Sequence, residues 1–371
     1  MRSFAAVSSV AQEELQKLHA FAERRLSNPH GQQLCHFLDE TRWNAAFAGP
    51  LVPWEMSLGF HTPHWTSFGE KARLALNHWT YAMMYFRIGD GERTVVTTNE
   101  AVADAIEPVQ PRVAALLRLE AAEERDHIAA FGRVWRALQR HHGFEGVAMP
   151  KKPLRPLLVA PATLRFLVRA FGADFVLAYF LGRGLVNHMG KAFEMGVQGF
   201  ADVDASLRKL SLLHTVDENR HMAVSRMMAA CTYELLHERR RRGPLYDALN
   251  EAVQRTMLVT TFSDRLTTGQ ERAMSHRALE RMRTLAAVPR DVLRATVNAH
   301  FDGVTGVEAA KNEFMPRFNQ RLLDRAGLSP DEKRAWYELL VSLQRNLRFF
   351  PDGYTPGASH DAPAFDDEAL A

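Results

Sequence analysis

Between Phe68 and Arg240 the chain reads as four long stretches with helical spacing, each closed by proline or glycine. Apolar residues recur at three- and four-residue offsets over 68–105, 112–141, 162–197 and 204–240. No period-two alternation bounded by turn residues interrupts them, and no Asn-Gly or Asp-Gly pair joins two apolar runs as a hairpin would. Four such helices bury their apolar stripes most simply against one another. The expected fold is therefore all-α: a ferritin-like four-helix bundle over about 65–240, with additional N- and C-terminal helices wrapped around it in one domain over 1–350. An amphipathic helix is expected over 10–26, and further helices over 244–348. Gly89 and Gly91 predict a kink in the first long helix. The Pro-, Gly- and acid-rich end, 351–371, is expected to be disordered.

Composition narrows the function classes. Forty-six basic residues against 43 acidic ones leave a net charge of +3, which gives no footprint for nucleic acid. The run Arg239–Arg242 reads instead as a solvated helix end carrying cations. Two distant cysteines, Cys35 and Cys231, make neither a disulfide framework nor a thiolate metal site, and suit a reducing cytoplasm. The most apolar stretch, 166–186, carries Arg169, Asp174 and Arg183, so it is expected as a buried helix and not as a membrane span.

Chemistry concentrates in two of the long stretches. Glu124 and His127 form Glu-x-x-His in the second, and Glu218 and His221 form another in the fourth. An offset of three puts carboxylate and imidazole on one helical face. Two such pairs plus a glutamate from each remaining helix make up the ligand set of a di-iron bundle, in which carboxylates bridge and neutralise two metals. His214, one turn before Glu218, adds a third imidazole to the same stripe. A third Glu-x-x-His, Glu234 and His237, lies about 24 Å from Glu218 along the helix and is expected to play no part.

Residues equally far from a hairpin turn lie side by side. Glu92 stands level with Glu124 and is the candidate from the first long helix. The level of Glu218 on the third helix falls near 183–188, where no carboxylate occurs. His188 or Asn187 could replace it, Glu194 could reach in from about 10 Å away, or the position could stay open. Asp126 and Asp217 are candidate acceptors for the ligand imidazoles. Arg87 is a candidate for a substrate carboxylate, against the alternative of a structural ion pair with an acidic neighbour.

The order Glu92, Glu124, His127, His214, Glu218, His221 resembles the p-aminobenzoate N-oxygenase family of non-haem di-iron oxygenases, over roughly 55–240. In that family the residues matching these six bind iron. A glutamate on the third helix completes the set there, and the corresponding position here is Asn187. The resemblance implies two iron ions, with manganese as the alternative metal, and O2 as co-substrate. It implies oxidation of a small organic molecule in specialised metabolism, with N-oxygenation of an amine as the first expectation. The departure at Asn187 brings hydroxylation or halogenation forward. Reducing equivalents are expected from an external donor, because the chain has no Gly-x-Gly-x-x-Gly strand–helix unit and no cysteine cluster. Assembly as a homodimer is compatible with the sequence. The competing reading is a metal-free helical scaffold whose Glu/His stripes are solvated or paired with arginines.

Overall fold

The computed structural model describes residues 4–28, 33–40, 47–147, 160–238, 243–262, 264–326, 328–343 and 346–356. All regular structure among them is helical. The long helices are α3 (Glu70–Ile106), α4 (Pro111–His142), α6 (Ala173–Gly199) and α7 (Ala205–Leu235). Before them stand α1 (Phe4–Ser27) and α2 (Leu34–Glu40), and α5 (Pro161–Phe171) precedes α6. After them come α8 (Pro244–Phe262), α9 (Asp264–Leu279), α10 (Arg290–Asp302), α11 (Gly306–Arg325) and α12 (Pro330–Leu343). Short 3-10 turns occur at Trp54–Met56, Trp65–Ser67 and Arg283–Leu285.

Helices α3 and α4 form one hairpin and α6 and α7 the other, with α1 laid against α4 and α7 and α11 against α6. Local chemistry sets the boundaries. Pro111 occupies the first turn of α4, where its missing N–H is not needed. Gly143 then ends α4 in the left-handed conformation (φ 75°), with its N–H returned to the Gln139 carbonyl at 2.8 Å. Asp204 caps α7 by accepting from the N–H groups of Ser206 and Leu207 at 3.0 and 3.1 Å.

Four sequence expectations are corrected. The single helix over 162–197 is two helices, broken at Gly172 (φ 54°, ψ −130°). A Cβ at Gly172 would run into the Glu238 carboxylate, whose Oε2 accepts the Ala173 N–H at 3.0 Å. Helix α3 continues unbroken through Gly89 and Gly91, because burial on several faces and packing along α4 outweigh the propensity cost of two glycines. Helix α7 ends at Leu235, so His237 lies beyond it, exposed and at φ 52°. Part of the C-terminal tail is also ordered: Tyr354 is buried, stacks on Phe350 at 5.1 Å and donates to Asp324 at 2.9 Å. Residues 357–371 and Arg239–Arg242 lie outside the described residues.

Two apolar cores occupy opposite ends of the bundle. One gathers the end of α3, the start of α4, the first half of α6, the end of α7, and α1, α5 and α11. The other gathers the first half of α3, the second half of α4, the end of α6, the start of α7, and α9 and α10. Between them every long helix contributes buried polar residues: Glu92, Glu124, His127, Arg183, Glu194, His214, Asp217 and His221. A layer of charge at mid-bundle is costly unless its members satisfy one another or bind something. Among the described residues, no helix is long and apolar enough to cross a membrane.

Candidate metal centre

Each imidazole of the polar layer is held from behind by a carboxylate. His127 Nε2 lies 3.2 Å from Asp217 Oδ2, His214 Nδ1 lies 2.7 Å from Glu194 Oε1, and His221 Nε2 lies 3.0 Å from Glu123 Oε2. A carboxylate accepts and does not donate, so those nitrogens carry the proton. The opposite nitrogens, His127 Nδ1, His214 Nε2 and His221 Nδ1, turn inward. They face carboxylates from three helices. His214 Nε2 is 3.0 Å from Glu92 Oε1 and 3.6 Å from Glu218 Oε1. His221 Nδ1 is 3.1 Å from Glu218 Oε1 and 3.2 Å from Glu124 Oε1. His127 Nδ1 is 3.4, 3.8 and 3.9 Å from Glu124, Glu218 and Glu92.

Several of these atoms lack any hydrogen bond of ordinary geometry: Glu92 Oε2, Glu124 Oε2 and His127 Nδ1 are buried and unpartnered. Orphaned ligand atoms converging on one spot are what a cation site leaves in a protein that holds no ion. The donors divide into two overlapping groups, Glu92–His127–His214–Glu218 and Glu124–Glu218–His221. Glu218 belongs to both, so it would be the carboxylate shared by two ions held there. Oxygen and imidazole donors in this ratio suit iron(II) or manganese(II).

The electrostatics agree. Burial pushes the Glu92 carboxyl up to about 7, partly offset by its bond to His214. Burial opposes charge on His214 and His221 too, but Glu194 beside the first and Glu124 and Glu218 beside the second hold both well above the ordinary histidine value. Burial likewise opposes the charged Glu124, yet His221 and His127 keep it well below the usual carboxylate range. Arg183, buried, donates to Glu120 Oε2 at 2.8 Å and to Glu124 Oε1 at 3.0 Å, and so helps fix Glu124.

All six residues expected from the stripes, Glu92, Glu124, His127, His214, Glu218 and His221, meet in this layer. Asn187 occupies the level expected for the missing glutamate and donates its amide to Glu218 Oε2 at 2.8 Å. The side chain of His188 lies outside the described residues. Glu194, expected to miss by two turns, reaches the layer. It stands level with His214, not with Glu218, and α6 continues five residues beyond it to Gly199. Asp217 backs His127 as expected, whereas Asp126 instead accepts the Cys35 N–H at 3.2 Å. Glu123 is the acceptor that spacing did not single out; its place one residue before Glu124, on the neighbouring edge of α4, was the available signal. Arg87 is taken up by an ion pair, the structural alternative its sequence setting offered. It forms a two-pronged pair with Glu271, its Nε 2.6 Å from Oε1. Burial of five of the six stripe residues, with Glu218 half-buried among them, removes the solvated-stripe reading.

A cavity of about 230 Å3 opens between α3 and α4, lined among others by Tyr85, Phe86, Gly89, Phe131 and Trp135. Phe86 is thus a cavity wall, while Trp79, Met83 and Met84 are buried. The cavity adjoins the metal-capable layer. The Phe131 ring is 4.9 Å from that of His214, Tyr85 donates to Glu194 at 3.1 Å, and Gly89 lies beside the unpartnered Glu92 Oε2.

Residues 52–143 match the family model described as acyl halogenase, CylC-like. The match covers about a quarter of the chain: the loop ahead of α3 and the α3–α4 hairpin, with Glu92, Glu124 and His127. It agrees with an oxidative enzyme and does not single out N-oxygenation. No curated protein and no solved structure matches the chain.

Proposed function

We infer that the chain is a non-haem di-iron oxidative enzyme that uses O2 on a small organic substrate, with halogenation or hydroxylation of a carbon centre as its reaction. One observation carries the reading. Three imidazoles, each backed by a carboxylate, turn their other nitrogens onto a spot where Glu92, Glu124 and Glu218 converge, and there Glu92 Oε2, Glu124 Oε2 and His127 Nδ1 are left unpartnered. An iron(II) pair held there would supply two-electron oxidising power from O2, with the remaining electrons drawn from an external donor.

The chain's own groups define the rest. Glu218 would hold both ions, Glu92 with His127 and His214 one of them, and Glu124 with His221 the other. Glu194, Asp217 and Glu123 keep the imidazoles in the ligating tautomer. The largely aromatic cavity beside Glu92 and His214 suits an apolar substrate. Asn187 is a neutral amide where the N-oxygenases have a carboxylate, so the centre is less anionic and more hospitable to a halide. Together with the halogenase match, this favours carbon halogenation or hydroxylation. N-oxygenation of an amine is the second reading and rests on His214, the extra imidazole shared with that family.

The test is turnover of iron(II)-loaded protein with O2 and a reductant, with and without chloride or bromide, read by mass spectrometry across apolar acids, arenes and amines. Replacement of hydrogen by halogen, or gain of one oxygen at carbon, supports the reading. Oxidised amines alone would move it to N-oxygenation. Two irons bound without any O2-dependent product would count against an enzyme of either kind.

A further inference from the structure

A second cluster of imidazoles lies far from the carboxylate layer. His78 on α3 and the adjacent His141 and His142 at the end of α4 bring ring nitrogens within 4.8 Å of one another. His78 is fourteen residues before Glu92 on one continuous helix, and His142 is fifteen after His127, so each is roughly 21–22 Å along the bundle from the polar layer. His78 and His142 are 1% and 2% exposed, while His141 reaches solvent.

Both buried rings are oriented from outside the cluster. His78 Nε2 lies 2.8 Å from the Gly49 carbonyl, and His142 Nδ1 lies 3.0 Å from Thr284 Oγ1. A carbonyl only accepts, so His78 Nε2 carries the proton and Nδ1 presents a lone pair. That Nδ1 faces His142 Nε2 at 2.9 Å. Without an ion, His142 Nε2–H donates to His78 Nδ1 and the Thr284 hydroxyl donates to His142 Nδ1. Moving the His142 proton to Nδ1 gives Nε2 a second inward lone pair, and Thr284 Oγ1 then accepts. The exchange needs no net proton. Metal-binding histidines are held in this way, with the far nitrogen on a carbonyl or hydroxyl and the near one on the ion. Phe47 walls the cluster, its ring 5.8 Å from that of His78 and 5.1 Å from that of His141. Its backbone stands at φ 46°, a region a bulky residue occupies only when its surroundings impose it.

We propose that His78, His141 and His142 form a mononuclear site for zinc(II) or another imidazole-preferring first-row ion, with water at the remaining position on the His141 side. Three imidazoles with no carboxylate in the group select such ions over magnesium or calcium. The ion ties together the early part of α3, the end of α4, the Gly49 loop and the turn at Arg283–Leu285, closing the open end of the α3–α4 hairpin. The site is independent of the iron centre.

The test is a cobalt(II) titration of chelator-treated, full-length protein, comparing wild type with His141→Ala, His142→Gln and Thr284→Val. Wild type is expected to bind one more equivalent than His141→Ala, with the strong visible bands of a four-coordinate imidazole-ligated ion. Thr284→Val is expected to bind that equivalent about 10–100-fold more weakly. His141 is exposed, so its removal leaves the fold and the iron content of the polar layer unchanged, which circular dichroism and iron analysis check. Equal cobalt uptake and identical spectra in wild type, His141→Ala and His142→Gln would overturn the proposal and leave the cluster as a hydrogen-bond chain from Gly49 to Thr284.

Discussion

Replacing Glu194 by Gln separates a carboxylate that backs a ligand from one that is itself a ligand. In the structure Glu194 accepts from His214 Nδ1 at 2.7 Å, from Tyr85 at 3.1 Å and from Thr215 at 3.1 Å. Gln keeps the shape and one acceptor oxygen but loses the charge that holds the His214 proton on Nδ1. A bond to a charged group is worth about 1.5–3 kcal/mol. Loss of a carboxylate behind a metal-binding imidazole weakens binding about 10–100-fold, or about 1.4–2.7 kcal/mol. Glu194→Gln should therefore still bind two irons at saturation, one of them with affinity reduced by that factor. Iron(II) titration under anaerobic conditions, followed by metal analysis after gel filtration, reads both quantities. Outright loss of one iron at any concentration would show that Glu194 is a direct ligand. Unchanged affinity for both would refute the account of His214 orientation.

Glu218→Ala should lose both irons where Glu92→Ala loses chiefly one, since Glu218 alone belongs to both donor groups; metal analysis after loading decides. Arg183→Met strips the buried partner from Glu120 and Glu124 and should destabilise the metal-free protein by about 3–5 kcal/mol, with part recovered on iron loading, as chemical denaturation would reveal. Metal loading near pH 7 should release more than two protons, one each from His214 and His221, whose values stand well above the ordinary one, and about half of one from Glu92, raised to about 7; calorimetry in buffers of different ionisation enthalpy counts them. The same raised values mean that the stability these imidazoliums give the metal-free chain is fully present below the unfolded value of 6.5 and lost as pH rises through the folded values. The melting temperature of metal-free protein should then fall on the alkaline side, and more steeply than that of the loaded form.

The sequence alone determined the all-helical fold, the two hairpins and the six-residue Glu/His stripe. Helical periodicity and an offset of three or four are local properties, carried within a single turn of chain. Counting from the hairpin turn also paired Glu92 with Glu124 and Asn187 with Glu218, because antiparallel helices keep one register. The backing carboxylates were legible only in part: Asp217 stood out as an acceptor but not the histidine it serves, and Glu123 did not stand out at all. Glu194 on α6 and Asp217 on α7 each orient a histidine on a different helix. Side-chain reach and helix rotation decide such contacts, and a count along one helix carries neither. Tertiary packing also carried α3 through two glycines, broke the third long stretch at Gly172 against Glu238, and gave Arg87 to Glu271. It brought His78 to His141 and His142 from positions more than sixty residues apart. Local pattern chose the helices and their faces; the burial of charge between two apolar cores chose which of those faces would meet.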